Sequence, residues 1–208
     1  MMTDMNMNEF LDELSSAAPV PGGGGASGYV AAIGMSLGSM VANLTTGKKK
    51  YAEYQEEIEE LIVKTGELMK ELAACMDKDA EAFEPLSKAY GLPRNTEEEI
   101  SIRNEIMEKS LVVAAQAPLD MMETIMKALK LLERLSVIGS RLAISDVGVG
   151  VAMCKAALNG ASLNVFINTK LMKNRDVAEE MNTKADAMII EGNELADAVY
   201  EEVMDAIR

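Results

Sequence analysis

Residues 22–46 read GGGGASGYVAAIGMSLGSMVANLTT, and this stretch decides the fold. Four glycines behind two prolines predict a loop over Ser15–Gly25, and the apolar run that follows predicts a helix over Ala26–Thr46. Gly34 and Gly38 stand four residues apart, so one side of this helix is almost bare backbone that a neighbouring helix can approach closely. The sequence therefore predicts a buried central helix preceded by a Gly-rich loop.

The same region carries no charged residue from Leu14 to Gly47, which is also a property of membrane spans. Its apolar part, however, is rich in Gly, Ala and Ser rather than Leu, and hydroxyl and amide side chains interrupt it. We therefore predict a helix buried inside a soluble protein, and no membrane partner.

A long amphipathic helix is predicted next. Residues 54, 58, 61, 65, 68, 72, 75, 79 and 82 alternate steps of four and three, and all except Asp79 are apolar, aromatic or small. This spacing is typical of a helix that packs against neighbours along its whole length. Gly91 and Pro93 stop it, so the predicted helix covers about Tyr51–Tyr90.

The remaining chain keeps the helical period and contains no alternating segment of strand length. Thr96-Glu97-Glu98-Glu99 has the pattern of a capping box, Pro118 suits the first turn of another helix, and Ser145-Asp146 resembles an N-cap followed by a first-turn acid. Helices are thus predicted over about 8–17, 97–116, 118–138, 146–159, 161–172 and from 176 onward. With aromatics at 4% and no linker-like stretch, we predict an all-α single domain over residues 1–208, a bundle of roughly seven or eight helices.

Charge and residue types exclude several function classes. A formal net charge of -14 argues against nucleic-acid binding, because phosphate neutralisation needs clustered Lys and Arg. The chain has no histidine, so no metal site is predicted and proton transfer falls to Asp, Glu, Lys, Tyr or water. Cys75 and Cys154 are isolated, and the acidic N-terminus does not have the pattern of a secretory signal, so we expect a reducing cytoplasm.

Two segments could bind a ligand. Residues 23–28, GGGASG, match a dinucleotide fingerprint, but no strand precedes them and lysines stand where an acid is required. Backbone N–H groups before a helix can still meet an anion or a carbonyl, or the glycines can simply let two helices cross. Lys48, Lys49 and Lys50 form the only tight cationic cluster, which either binds carboxylates or complements the C-terminus of the central helix.

Asp79 is the sharpest candidate for proton transfer. It places a carboxylate in a stripe whose other members are apolar, aromatic or small, and burial would raise its pKa towards neutrality. The alternatives are that the row of buried positions ends near this residue or that Asp79 forms an ion pair with a lysine. Ser145 and Asp146 are equivocal, since helix capping explains both.

Six segments together carry a resemblance to a known family. They are PVPGGGGAS (19–27), MVANLTTGKKKY (40–51), DAEAF (79–83), LPR (92–94), SDVGV (145–149) and GASLNVFIN (160–168). In this order they resemble the formiminotransferase-cyclodeaminase and methenyltetrahydrofolate cyclohydrolase family over residues 19–172. The resemblance implies a helical fold, a homodimer, and tetrahydrofolate derivatives, possibly polyglutamylated, as substrates without a tightly bound cofactor.

The resemblance also implies roles for individual residues. Gly22, Gly23, Gly24 and Gly25, with Lys48, Lys49 and Lys50, would hold the folate, the lysines meeting its glutamate carboxylates. Asp79 and Asp146 would line the reacting end as catalytic residues. Ser145, Asn164 and Asn168 would bind substrate, the asparagines by hydrogen bonds to the pterin.

Three functions follow from the resemblance. A cyclohydrolase opens 5,10-methenyltetrahydrofolate with water to give 10-formyltetrahydrofolate. We favour this function over the other two because no second domain is predicted. A cyclodeaminase instead closes formiminotetrahydrofolate and releases ammonia. A non-catalytic folate-binding or helical assembly protein is the third, because Gly139-Ser140-Arg141-Leu142 stands where many relatives carry Gly-Asn-x-Asn.

Overall fold

The computed structural model describes residues 1–208, and their main elements are six α-helices. They are α1 Met7–Leu14, α2 Gly22–Thr45, α3 Gln55–Tyr90, α4 Glu97–Ile138, α5 Ile144–Thr169 and α6 Arg175–Ile207. Short 3₁₀ helices cover Met2–Asp4, Lys49–Tyr54 and Arg141–Ala143. The predicted all-α class is confirmed, whereas the helix count of seven or eight was wrong.

Helix α2 is the centre of the bundle, as predicted, and it packs between α3 and α5. A Cβ on Gly34 would come within 2.9 Å of the Gly150 carbonyl oxygen, and one on Gly150 within 3.0 Å of the Gly34 oxygen. The two backbones are therefore in direct contact at mid-helix. Because Gly23 lies against Asn164 at the other contact point, α2 and α5 run antiparallel.

The predicted Gly-rich loop is the first correction. Gly22–Gly25 form the first turn of α2, which begins four residues before the predicted Ala26, and the Gly25 N–H donates to the Pro21 carbonyl at 2.9 Å. Tertiary packing overrides the low helix propensity of glycine here. A Cβ on Gly24 would overlap the Asp79 carboxylate, and one on Gly28 would lie 3.0 Å from the Met76 side chain.

The second correction concerns Pro118, which lies inside α4 and does not begin a new helix. Proline has no N–H, so the carbonyl of Ala114, four residues earlier, loses its helical donor. Asn168 replaces it: its Nδ2 donates to the Ala114 oxygen at 2.9 Å. With that acceptor satisfied, one helix spans both predicted ones.

The third correction concerns α5, which continues through Gly160. Gly160 is a close-approach residue, because a Cβ there would lie 2.5 Å from the Ser27 hydroxyl of α2. The predicted cap at Ser145 was also wrong, since the helix begins at Ile144 and Ala143 occupies the N-cap position. Helix α1 likewise ends earlier than predicted, at Leu14.

Other predicted boundaries are confirmed, among them the Thr96–Glu99 capping box and the helix ends before Gly91 and Gly139. The main core, of 40 buried hydrophobic residues, draws on α2 to α6. Two segments, 22–45 and 141–169, are long and apolar enough to cross a membrane by composition alone. About half of each is buried inside the bundle (56% and 50%), which accounts for much of that apolar character.

Candidate active site

Asp79 and Asn164 meet at the first turn of α2, approaching it from α3 and from α5. The Asp79 carboxylate lies directly against Gly24, where any side chain would displace it. Asn164 lies on the other side, with its Nδ2 3.4 Å from the position a Gly23 Cβ would take. The structure therefore brings together three groups that lie far apart in sequence: the glycines, the acid and one asparagine.

The Asp79 carboxylate is half-buried and forms no ion pair and no hydrogen bond within the chain. Burial raises its pKa from 3.8 to about 6. A carboxyl group with this pKa is largely ionised at neutral pH yet can hold a proton during turnover. The geometry thus supplies a poised acid-base group with free oxygen atoms.

The start of α2 adds hydrogen-bond donors to this place. The N–H of Gly25 is bonded to Pro21, but the N–H groups of Gly22, Gly23 and Gly24 have no acceptor in the chain. They stand at the positive end of the helix dipole. Gly22 and Gly23 are exposed, so a ligand oxygen or ring nitrogen can reach their backbone without meeting a side chain.

The two asparagines predicted to bind substrate differ in how far hydrogen bonds within the chain already occupy their side chains. Asn164 is half-buried, and its Nδ2 donates to the Gly160 carbonyl at 3.0 Å, which leaves its side-chain oxygen without a donor. Asn168 is buried, and its Nδ2 already donates to the carbonyls of Ala114 and Asn164. Asn168 therefore holds the helices together, and only its Oδ1 is left for a ligand.

The N-terminal segment supports this turn through Asp77, a residue that the sequence pattern gave no reason to select. Its buried carboxylate accepts the Met2 N–H at 2.5 Å and the Thr3 hydroxyl at 2.8 Å. The Met2 sulfur in turn lies 3.5 Å from the position a Gly25 Cβ would occupy. Asp77 thus anchors residues that press on the glycine turn.

The lysine cluster lies at the opposite end of α2. Lys48 Nζ donates to the Ser140 hydroxyl at 3.0 Å, and the Ser140 N–H donates to the Thr45 hydroxyl at 2.8 Å. The Tyr51 hydroxyl accepts the N–H of Arg141 at 2.9 Å. These contacts join the residues after α2 to those before α5.

The cationic character of this cluster is visible at Tyr51. The hydrogen bond from the Arg141 N–H, followed by the charges of Lys50 and Lys48, lowers the pKa of the Tyr51 hydroxyl although its burial acts the other way. The Lys50 ammonium also lies 5.6 Å from the Tyr51 ring centre. Tyr51 was not singled out from the sequence, because a tyrosine beside lysines has no pattern of its own.

The predicted site residues are therefore divided between two places within one chain. Gly22–Gly25, Asp79 and Asn164 share one end of the bundle, while Lys48–Lys50 follow the other end of α2. The first turn of α5 carries Ser145 and Asp146 at the lysine end. The 24 residues of α2 rise about 36 Å. The resemblance implied that Asp79 and Asp146 line the same reacting end, but within one chain the structure does not bring these two residues together.

Comparisons with known proteins agree with this fold. The family model described as Formiminotransferase-cyclodeaminase matches residues 6–187. The chain is 37% identical over 207 residues to the methenyltetrahydrofolate cyclohydrolase of Methylorubrum extorquens, covering 100% of both proteins. It is 29% identical over 198 residues to the rat formimidoyltransferase-cyclodeaminase, of which it spans 37%.

A solved structure is similar over the whole chain as well. The crystal structure of formiminotetrahydrofolate cyclodeaminase from Thermotoga maritima superposes with a TM-score of 0.83 at 27% sequence identity. The match covers 100% of this chain and 98% of the other. All six helices therefore lie within the shared architecture.

Proposed function

Because this chain belongs to the formiminotransferase-cyclodeaminase family, we propose that it is a folate one-carbon enzyme with methenyltetrahydrofolate cyclohydrolase activity. The observation that carries the proposal is the unpaired, half-buried Asp79 carboxylate held against the open glycine turn of α2. Similarity to the Methylorubrum cyclohydrolase along the full length of both chains supports this reaction over others in the family.

In the proposed reaction, water attacks the carbon that joins N5 and N10 of 5,10-methenyltetrahydrofolate. The Asp79 carboxylate accepts one proton of the attacking water, and a neutral tetrahedral carbon with a hydroxyl group results. Protonated Asp79 then delivers its proton to N5 as the bond from that carbon to N5 breaks. The hydroxyl proton leaves to solvent, and the formyl group remains on N10.

The remaining residues of the site hold the substrate in this proposal. Free N–H groups of Gly22–Gly24 and the side-chain oxygen of Asn164 are placed to bind the polar edge of the pterin. No tightly bound cofactor enters, because the amidinium carbon of the substrate is already electrophilic. Positioning of water and substrate around Asp79 supplies much of the rate.

A cyclodeaminase is the second candidate, and the likeness to the Thermotoga cyclodeaminase structure favours it. There N10 attacks the protonated formimino carbon on N5, and Asp79 takes up the proton that N10 loses. Asp79 then gives this proton to the amino group on the tetrahedral carbon, which leaves as ammonia. Both reactions pass through a tetrahedral carbon between two nitrogens, so the same carboxylate serves either. The substrate, rather than the acid, distinguishes the two candidates.

The wider setting is also part of the proposal. We place the protein in a reducing cytoplasm, where Cys75 and Cys154 stay free thiols, as both are buried and unpaired in the structure. We further propose a homodimer that accepts polyglutamylated folates, whose carboxylates would meet Lys48–Lys50. The exposed lysine side chains and their links to Ser140 and Tyr51 support a site for anions at that end.

The decisive experiment measures both reactions with one preparation. Loss of the near-ultraviolet absorbance of methenyltetrahydrofolate reports cyclohydrolase activity, and ammonia release from formiminotetrahydrofolate reports cyclodeaminase activity. We expect Asp79→Asn to lose nearly all turnover while retaining folate binding, and Glu81→Gln, which changes an exposed acid on the same helix, to behave as wild type. A wild-type protein that binds folate but accelerates neither reaction would leave only the non-catalytic role.

A further inference from the structure

A small apolar cluster, separate from the main core, attaches the first residues of the chain to the start of α2. Met2 and Phe10 are buried in this cluster, and Ala80 of α3 packs against it. The Phe10 ring centre lies 4.9 Å from that of Tyr29 on α2. We call residues 2–14 the N-terminal segment. This segment therefore contacts both α2 and α3 at the end of the bundle that carries the glycine turn.

Asp77 of α3 holds this segment through two hydrogen bonds. One carboxylate oxygen accepts the Met2 N–H at 2.5 Å, and the other accepts the Thr3 hydroxyl at 2.8 Å. Asp77 is only 9% exposed and forms no ion pair. Burying a carboxylate is costly unless hydrogen bonds or an opposite charge compensate, so these two bonds stabilise both partners.

The first turn of α2 depends on such outside contacts, because little within it holds it in place. Its four residues are glycines, which favour a helix less than any residue except proline. Only the Gly25 N–H has an acceptor, the Pro21 carbonyl at 2.9 Å, and the N–H groups of Gly22–Gly24 are free. The position of this turn is therefore set by the side chains packed on it.

Met2 and Asp79 are packed on successive residues of the turn. The Asp79 carboxylate meets Gly24, and the Met2 sulfur lies 3.5 Å from the position a Gly25 Cβ would take. Successive helical residues point about 100° apart, so the two side chains contact different sides of the turn. Loss of Met2 from its place would therefore free the turn to move away from Asp79.

We infer that Asp77 is a positioning residue for the reaction, because it anchors the N-terminal segment that keeps the glycine turn packed against Asp79. This inference rests on the proposed function and deepens it. Asp77 does not touch the substrate, since it is buried and both of its oxygens are engaged. It acts through the turn on two properties of the site: the direction of the free N–H groups and the exclusion of water from Asp79.

The first test is the kinetics of Asp77→Ala, which removes both hydrogen bonds and leaves Asp79 unchanged. We expect kcat on methenyltetrahydrofolate to fall by about 10-fold, because small misplacements of reacting groups cost up to about 100-fold. KM should rise as well, since the N–H groups that hold the pterin lose their direction. Asp77→Asn keeps an oxygen that can accept the Met2 N–H, so kcat and KM should return to within about 3-fold of the wild type.

The pH dependence of kcat/KM separates positioning from a simple loss of stability. In the wild type its acid limb should follow Asp79, whose pKa is raised to about 6 by burial, with no contribution from a charged side chain. A loosened turn admits water to this carboxylate, so in Asp77→Ala the limb should move towards 3.8 by at least about half a pH unit. Asp77→Asn removes the same negative charge but keeps the segment attached, and its limb should stay near 6. An equal displacement in both variants would assign the effect to charge and overturn the inference.

Glu108 provides the matched control. Its carboxylate accepts the N–H groups of Lys173 and Asn174, both at 2.8 Å, and so anchors the connection between α5 and α6. Glu108→Ala should lower the urea midpoint of unfolding while leaving kcat, KM and the acid limb unchanged. If Asp77→Ala behaves in the same way, its carboxylate has only a structural role and the inference fails.

A second variant covers the case in which Asp77→Ala does not fold. Met2→Asn retains the N–H that Asp77 accepts but shortens the side chain packed on Gly25. It should change kcat, KM and the acid limb in the same directions as Asp77→Ala. Wild-type values of all three would show that the contact with the turn is irrelevant to turnover, which overturns the inference.

Hydrogen exchange tests the same contact without an enzyme assay. A wild-type protein inactive on both folates removes the proposed function, and the effect of Asp77 on the turn is then judged by exchange at the Gly25 amide. This amide should exchange at least about 10-fold faster in Asp77→Ala and in Met2→Asn than in the wild type or in Glu108→Ala. Equal exchange in all four proteins would overturn the link between the segment and the turn.

Discussion

Replacing Asp79 by Asn should stabilise the protein, although it should abolish turnover. The folded protein holds this carboxyl at a pKa of about 6 against 3.8 for the unperturbed group, because burial penalises the charged form. Above pH 6 the group is ionised in both states, so the folded state bears that penalty in full. A neutral amide of the same shape does not bear this penalty.

The size of the effect follows from the shift in pKa. A shift of roughly 2 units at 1.36 kcal/mol each sets an upper bound of about 3 kcal/mol. Part of the carboxylate still meets solvent, so we expect Asp79→Asn to raise the free energy of unfolding by about 2 kcal/mol at pH 7.5.

The stability difference between Asp79→Asn and the wild type should depend on pH. As pH falls from 6 towards 3.8, the folded state takes up the Asp79 proton before the unfolded state does, so the penalty in the wild type disappears. The advantage of the Asn variant should therefore fall to about half at pH 5 and nearly vanish below pH 4.

Urea unfolding at pH 7.5 and pH 5, at one fixed protomer concentration, measures both quantities. Glu81→Gln is the matched control, because it neutralises an exposed acid two residues away and should change stability by less than about 0.5 kcal/mol. A gain at position 79 that is absent at pH 7.5, or equal at both pH values, would refute the claim that burial governs this carboxylate.

Three further substitutions test the packing around the site. Gly24→Ala should displace the Asp79 side chain and lower kcat by about 100-fold. The control Gly66→Ala adds a methyl group that meets open space on α3, so kcat should stay unchanged. Equal kcat values for the two variants would contradict the expected role of Gly24. Asn168→Ala should lower the free energy of unfolding by about 1–3 kcal/mol, measured in urea, since the buried Ala114 carbonyl loses its donor. Asp77→Ala should release the N-terminal segment, seen as faster hydrogen exchange at the Met2 amide, and unchanged protection would deny it an anchoring role.

Periodicity was enough to predict the helical class, because it depends on which face of each helix is buried. The register of α3 placed the carboxylate of Asp79 among buried neighbours, and the structure finds it half-buried with a raised pKa. Single proline and glycine residues were less reliable as signs of where a helix ends. Pro118 and Gly160 look like helix boundaries in sequence, yet Asn168 and Ser27 show why neither is one.

Asp77, Tyr51 and Arg141 could not be selected from sequence for a related reason. Each forms a hydrogen bond with a residue far along the chain. The Met2 N–H donates to Asp77, and the Arg141 N–H donates to the Tyr51 hydroxyl. No spacing rule connects such pairs, since the distance between them in sequence carries no helical period. Contacts of this kind become visible only when the helices are assembled.

Motif order along the chain misled for a different reason, which concerns α2 itself. The glycine motif and the lysine motif are close in sequence, and closeness suggests one pocket, but a helix about 36 Å long separates them. A helix between two motifs holds them apart, because each residue of the helix adds about 1.5 Å to their separation. Two motifs that flank a long predicted helix are therefore expected at its opposite ends rather than in one pocket.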